Sequence, residues 1–425
     1  MSFALGIVPV VLLLLGFPIF IVILSAVTVA LVFFMNVPYA VLHQTMFGAI
    51  DAFALLAVPF FLYAGEVMGR GTVAQRIVDV VQASVGRVPG SLAVTSVGTS
   101  AIFGAISGAS SATVATIGRI MVPAMRAQKY PETFNAGLIT AVGAIDIIIP
   151  PSIPMIIYGA TAQESVPKLY AAGLGPGILI ASMLGAYVFF YARRQGIDIG
   201  RSFDAARLRT ALARGVWALG APVISLGGVY GGVFSPTEAA SVACIYAVIV
   251  TRLVYRDISW SEILECAART VRLTAQVFVI VACASVFSWL LTVNQVPANL
   301  VRWLEAMQLG PSAILLMINI LLLIVGCFVD PLSAIIMLTP LLVPIVKAAG
   351  IDTVHFGIVV TVNLAIGLFT PPFGINIFVA QAALKFPAGT IVRGLWPFLI
   401  LYLIALMLIT YIPAIALSGV KLFFG

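Results

Sequence analysis

The sequence predicts an all-α polytopic membrane protein of inverted repeats, with two re-entrant helical hairpins and two helices broken at Pro-Pro pairs. Three observations predict it. The 425 residues are 62% hydrophobic and 9% charged, with a mean hydropathy of +1.17, whereas soluble domains carry about 25% charged residues. Apolar runs of about 18 residues or more recur from end to end, each long enough for a membrane helix. Just two Pro-Pro pairs occur, in DIIIPPSIP (146–154) and LFTPPFGIN (368–376), one in each half of the chain.

The opening MSFALGIVPVVLLLLGFPIF has no basic n-region and no small-residue cleavage site. It is expected to be a first membrane segment, not a signal peptide, with two short helices over 4–34. Further spans are expected at 44–68, 132–162, 169–192, 215–234, 236–253, 272–293, 353–384 and 394–417, about ten to twelve in all. Segments 70–87 and 297–309 are amphipathic arms. The stretches 90–124 and 311–346 carry SGASS (107–111) and VDP (329–331) near their centres. Each is a full span or a re-entrant hairpin, because non-helical backbone at membrane depth survives only where it is buried or lines a cavity. In 132–162 and 353–384 the paired prolines remove two backbone donors and push the preceding residue out of helical geometry, so both helices break.

Sliding the chain along itself until Pro150–Pro151 falls on Pro371–Pro372 lays one half on the other. Without a gap, Val122–Pro123 then meets Val343–Pro344, Thr140 meets Thr361, and Ala144–Ile145 meets Ala365–Ile366. Such weak internal repeats mark many secondary transporters. Charge sets the orientation. With both termini outside and two hairpins, the outer side keeps only Lys168, Arg302, Lys347 and Lys421 of the 22 basic residues. The rest fall inside, as the positive-inside rule requires, and the halves come out inverted. The net charge of +7 therefore reads as cytoplasmic loops and not as nucleic-acid binding.

Four constellations bear on chemistry. FGAISGASSATVATIG (103–118) combines small residues with the hydroxyls of Ser107, Ser110 and Ser111, which suits either tight helix packing or oxygen ligation of a hard cation. The Pro-Pro breaks, flanked by Ser152 and Thr370, create a helix C-terminus suited to cations and a new N-terminus suited to anions. A single kink for packing would need only one such break. Asp146 and Asp330 lie at membrane depth, where carboxylates are costly and point to function. Asp330 in VDPLS is a sodium ligand, a proton carrier or a helix N-cap with proline behind it. Asp146 stands one turn before its Pro-Pro and is open to the same roles, though its counterpart is Gly367. Ser235-Pro236-Thr237-Glu238 reads as a capping box, since a serine nucleophile would need a histidine base and none is near. Cys244, Cys266, Cys283 and Cys327 are scattered apolar fillers. His43 and His355 are far apart, and no zinc, Walker A or dinucleotide motif occurs. An ATP-driven pump and an intramembrane enzyme both lack their residues. A channel would show no substrate-coupled ion flux.

FGAISGASSATVATIG, IIIPPSIPMIIYG, GGVFSPTEAAS and LFTPPFGINIF resemble the large membrane subunit, DctM-like, of tripartite ATP-independent periplasmic (TRAP) transporters of the ion transporter superfamily. Asp146 departs from the glycine more often found in that motif. The resemblance implies an elevator-type scaffold plus transport domain and a sodium gradient as driving force, with no cofactor. It implies a DctQ-like small four-helix membrane subunit and a DctP-like periplasmic substrate-binding protein as partners. It places the chain in a bacterial inner membrane, importing a small organic anion such as a C4-dicarboxylate or sialic acid. A stand-alone sodium/anion symporter is the alternative. Carried over by position, one sodium site would use Ser107, Ser110, Gly143 and Pro150, and the other Gly326, Asp330, Gly367 and Thr370. Substrate candidates are Ser111, Ser152 and Asn376. The expected division is scaffold at 1–89, transport repeat 1 at 90–192, cytoplasmic linker at 193–214, scaffold at 215–310 and transport repeat 2 at 311–425.

Overall fold

The computed structural model describes residues 7–35, 37–197 and 203–425. The opening segment is two helices, α1 (Val8–Leu14) and α2 (Ile19–Phe34), while residues 4–6 of that expected span lie outside the described residues. The single span expected over 44–68 is instead divided into α3 (Tyr39–Ile50) and α4 (Ala57–Arg70). A 3-10 turn at Phe53–Leu56 separates them. Pro59 falls in the first turn of α4, where its missing N–H forfeits no hydrogen bond. The first arm is α5 (Val73–Val85).

Both suspected hairpins are helix pairs: α6 (Ser91–Ser107) with α7 (Ser110–Ala127), and later α15 (Pro311–Phe328) with α16 (Pro331–Ala348). Gly108, at φ 59°, ends α6 in the left-handed region, which glycine enters without steric penalty. Both expected breaks are present. The first separates α8 (Glu132–Val142) from α9 (Ile153–Ala162), followed by α10 (Val166–Gln195). The second separates α17 (Thr353–Gly367) from α18 (Ile375–Leu384), followed by α19 (Ala388–Tyr411). Pro150–Pro151 and Pro371–Pro372 are both cis.

Between the repeats lie α11 (Ala205–Tyr230), α12 (Pro236–Ile249), α13 (Trp260–Val293) and the second arm, α14 (Val296–Ala306). The linker is shorter than 193–214. Gly196 closes α10, and Asp204 starts α11 by accepting the Ala206 N–H at 2.9 Å. Residues 198–202 of the linker, with Arg201, lie outside the described residues. Likewise α13 begins at Trp260 and not at 272, because Ser259 and Glu262 form a capping box there. The last expected span, 394–417, is corrected too. Ile412, out of helical geometry before Pro413, ends α19, and α20 (Ala414–Phe424) follows. α20 packs on α10 through Gly175 and Gly419, where an added Cβ would overlap the carbonyls of Ile415 and Ala171.

Eight helical stretches among the described residues are long and apolar enough to cross a membrane. The repeat is visible in the helix starts. Ser91 pairs with Pro311, Ser110 with Pro331, Glu132 with Thr353, Ile153 with Ile375, and Val166 with Ala388, all in nearly the register that pairs Pro150 with Pro371. Packing obeys the same relation. α7 packs on α18 as α16 packs on α9, and α8 packs on α19 as α17 packs on α10. The repeats are thus interlocked. Around them α4 packs on α12, α5 on α11, and α13 on α2, α3 and α4.

Candidate ion and substrate site

The tips of both hairpins line one cleft of about 360 Å³. Gly108, Ser110, Ser111 and Ile153 line it from the first repeat, and Asp330, Leu332 and Leu368 from the second. Leu62 on α4 and Gln276 on α13 form the facing wall. None of the residues lining it is basic. A second cleft, also about 360 Å³, follows along the same wall. α13 contributes Leu273 to Ile280 to the first cleft and Val281 to Ser288 to the second.

Each break is tied off by a hydroxyl of its own. Ser152 Oγ donates to the Ile147 carbonyl at 2.5 Å, and Thr370 Oγ1 donates to the Ile366 carbonyl at 2.7 Å. The first bond caps the Ile147 carbonyl at the break, the second adds to the Phe369 N–H already donated to Ile366 at 3.2 Å, and both leave the hydroxyl lone pairs as acceptors.

Of the first expected sodium set, Ser110 and Gly143 come together with Asn376. Ser110 Oγ lies 2.9 Å from Asn376 Nδ2, which also donates to the Thr140 carbonyl at 3.2 Å. A Cβ added to Gly143 would stand 3.0 Å from the Ser110 carbonyl oxygen, so the absent side chain lets that oxygen approach. Ser107 ends α6 with its carbonyl against Gly65, and its hydroxyl lies 3.3 Å from the Ala109 N–H. Pro150 is buried, and the neighbouring Pro151 carbonyl lies beneath Gly108. The first hairpin tip therefore rests on the first break.

Of the second set, Gly326 and Gly367 touch backbone to backbone. Asp330 is the N-cap of α16. One carboxylate oxygen accepts the Ser333 N–H at 3.0 Å and the other accepts its hydroxyl at 2.5 Å. Thr370 follows at the break with its hydroxyl turned to Ile366. Among the substrate candidates, Ser111 lines the cleft, whereas Ser152 and Asn376 are fully buried. Asn376 instead joins the two repeats through Ser110.

Three further residues stand at this centre: Thr113 and Gln276, which the sequence does not single out, and Asp146, which it leaves between ion ligand, proton carrier and cap. Thr113 donates to Asp146 Oδ2 at 2.5 Å. It stands one helical turn after Ser110, a spacing that places both on one face. Asp146 is buried under the hairpin tip. Gln276 is a lone amide in an apolar run of α13, and its rarity there is its signal.

The chain matches the family described as "Tripartite ATP-independent periplasmic transporter, DctM component" over residues 7–415. It is 40% identical over 383 residues to the isethionate TRAP transporter permease protein DctMQ of Oleidesulfovibrio alaskensis. That match covers 89% of this chain but 60% of the relative, so the chain spans about three-fifths of that protein's length. It is 39% identical to the C4-dicarboxylate TRAP transporter large permease protein DctM of Pseudomonas aeruginosa, over 88% of this chain and 87% of that one. It is also 39% identical to the ectoine/5-hydroxyectoine TRAP transporter large permease protein UehC of Ruegeria pomeroyi, over 96% of both. In fold it is similar to the crystal structure of the YdaH transporter of Alcanivorax borkumensis, with a TM-score of 0.64 at 15% identity, over 98% of this chain and 100% of that one.

Proposed function

The chain belongs to the DctM family of TRAP transporters, and from that membership we propose that it is the permease of a sodium-coupled, binding-protein-dependent importer of small organic acids. The family is one of transporter permeases, so the intramembrane-enzyme alternative does not apply. One observation carries the reading: both hairpin tips and both breaks converge on a cleft against α13, with no basic residue lining it. Backbone dipoles, hydroxyls and bound sodium then have to meet an organic anion.

The first sodium site is Ser107, Ser110, Gly143 and Pro150, and the second is Gly326, Asp330, Gly367 and Thr370. Asn376 braces the first from the other repeat. The two interlocked repeats form the transport domain at 90–192 and 311–425, and 1–89 with 215–310 forms the scaffold. The successive clefts along α13 suit an elevator, in which the hairpin tips move past a fixed wall. Eighteen of the 22 basic residues fall on the cytoplasmic side when the repeats are inverted in a bacterial inner membrane. The partners are a DctQ-like four-helix subunit and a DctP-like periplasmic binding protein. A C4-dicarboxylate or sialic acid is the substrate type.

Reconstitution tests this. The chain with its small subunit in proteoliposomes should take up substrate only with an inward sodium gradient and a binding protein present. Equal uptake without both would overturn the reading. Uptake needing sodium but no binding protein would favour a stand-alone sodium/anion symporter.

A further inference from the structure

The crossing of hairpin and broken helix occurs once in each repeat, and the two versions differ. In the second, Gly326 meets Gly367, and a Cβ added at Gly367 would overlap the Gly326 carbonyl. In the first, the corresponding crossing is made by Asp146, in the place of Gly367, and Gly104, one residue before the place of Gly326 in the register of the paired prolines. A Cβ added at Gly104 would stand 2.7 Å from Asp146 Cα and 2.8 Å from its Oδ1. Packing at this crossing asks only for small residues, yet a carboxylate occupies one side.

That carboxylate is fully buried. Thr113 donates to Oδ2 at 2.5 Å, while the Gly108 and Ala109 N–H groups above it are turned to the Gly104 carbonyl and to Ser107 Oγ. Among the described residues Oδ1 has no hydrogen-bond partner, and the carboxylate forms no salt bridge. An ionised carboxylate removed from water without an opposite charge is strongly disfavoured. Thr113 holds one oxygen in place, and a cation is what the other lacks.

We propose that Asp146 is the charged ligand of a sodium site beneath the first hairpin tip, with Oδ1 facing the ion. This rests on the reading of the first hairpin as a sodium site, and adds to it a residue the repeat does not supply. The two sites are then unequal. At the first, a free carboxylate oxygen meets the ion; at the second, both oxygens of Asp330 are engaged by Ser333.

The full chain, purified in detergent, is melted while sodium replaces choline at constant ionic strength, and equilibrium binding of radioactive sodium is measured alongside. Asp146→Asn removes the charge, and Asp146→Gly reproduces the Gly326–Gly367 crossing and serves if the amide variant does not fold. Both variants should raise the half-saturating sodium concentration by at least about 10- to 100-fold, the loss that removal of even an outer-shell partner brings to a metal site. Wild-type-like sodium binding in both variants would overturn the role of Asp146 and leave the hairpin site standing. No sodium-specific stabilisation of the wild type would overturn the sodium site itself, and Asp146's role with it. Stabilisation of the wild type by lowered pH, with indifference to sodium, would assign the carboxylate to a proton and also overturn the proposal.

Discussion

At the scale of single residues, the two intramembrane aspartates separate into different kinds of group. Asp330 reads in the sequence as ligand, proton carrier or cap, and its bonds to Ser333 make it a cap whatever else it does. Asparagine also caps well, so Asp330→Asn should melt like the wild type. Asp330→Ala should lose about 0.5–2 kcal/mol, seen as a lower melting temperature in detergent. Equal melting of all three would show that the cap contributes nothing. For the sodium sites, Ser107→Ala and Thr370→Ala should raise the sodium concentration for half-maximal uptake. Ser235→Ala should not, because Ser235 only starts α12 in its capping box. An unchanged sodium dependence in all three would count against both sites. The hairpin serines and paired prolines are legible because they break the local rule of a membrane helix. The setting of Asp146 is not, because its crossing partner Gly104 lies on a different helix, α6, and only tertiary packing joins them. Asn376 escapes the sequence for a related reason. The motif names the residue, but the packing of α18 on α7 decides that its amide turns to Ser110 and away from the cleft.

At the scale of elements, hairpins and breaks are readable and several helix ends are not. A break inside an apolar run needs prolines or polar residues, and these stand out. An end inside an apolar run needs only one proline, as α19 before α20, or none, as α3 before α4, and prolines are also tolerated within these helices. Pro176 and Pro222 lie inside α10 and α11. What fixes the interlock is the glycines. α8 meets α19 where Gly137 touches Gly394, and a Cβ added at Gly137 would overlap the Gly394 carbonyl. Gly137→Ala should therefore cost about 1–3 kcal/mol by overpacking. Gly185 lies inside α10 with nothing within 4 Å of an added Cβ. Gly185→Ala should be neutral or gain up to about 1 kcal/mol of helix propensity. Melting of the two variants side by side checks this, and equal destabilisation would mean that backbone contact at Gly137 is not the cause.

At the scale of the whole molecule, the repeat is fixed by helix starts and contacts, whereas its inversion rests on charge. The pseudo-symmetric packing of α7 on α18 and α16 on α9 is compatible with an axis in the membrane plane or along its normal. Only the distribution of lysine and arginine favours the first. Lys168 and Gly389 separate the two cases. Aligned on the paired prolines, they occupy equivalent places at the starts of α10 and α19. Both are exposed, and nothing stands within 4 Å of a Cβ added at Gly389. In inverted repeats they lie on opposite sides of the membrane; in parallel repeats they share a side. With the four native cysteines replaced, Lys168→Cys should react with a membrane-impermeant thiol reagent in spheroplasts. Gly389→Cys should react only after permeabilisation. Labelling of both in intact spheroplasts would make the repeats parallel. It would also remove the basis for alternating access, because opposed hairpins present the cleft to each side in turn only if the halves are inverted.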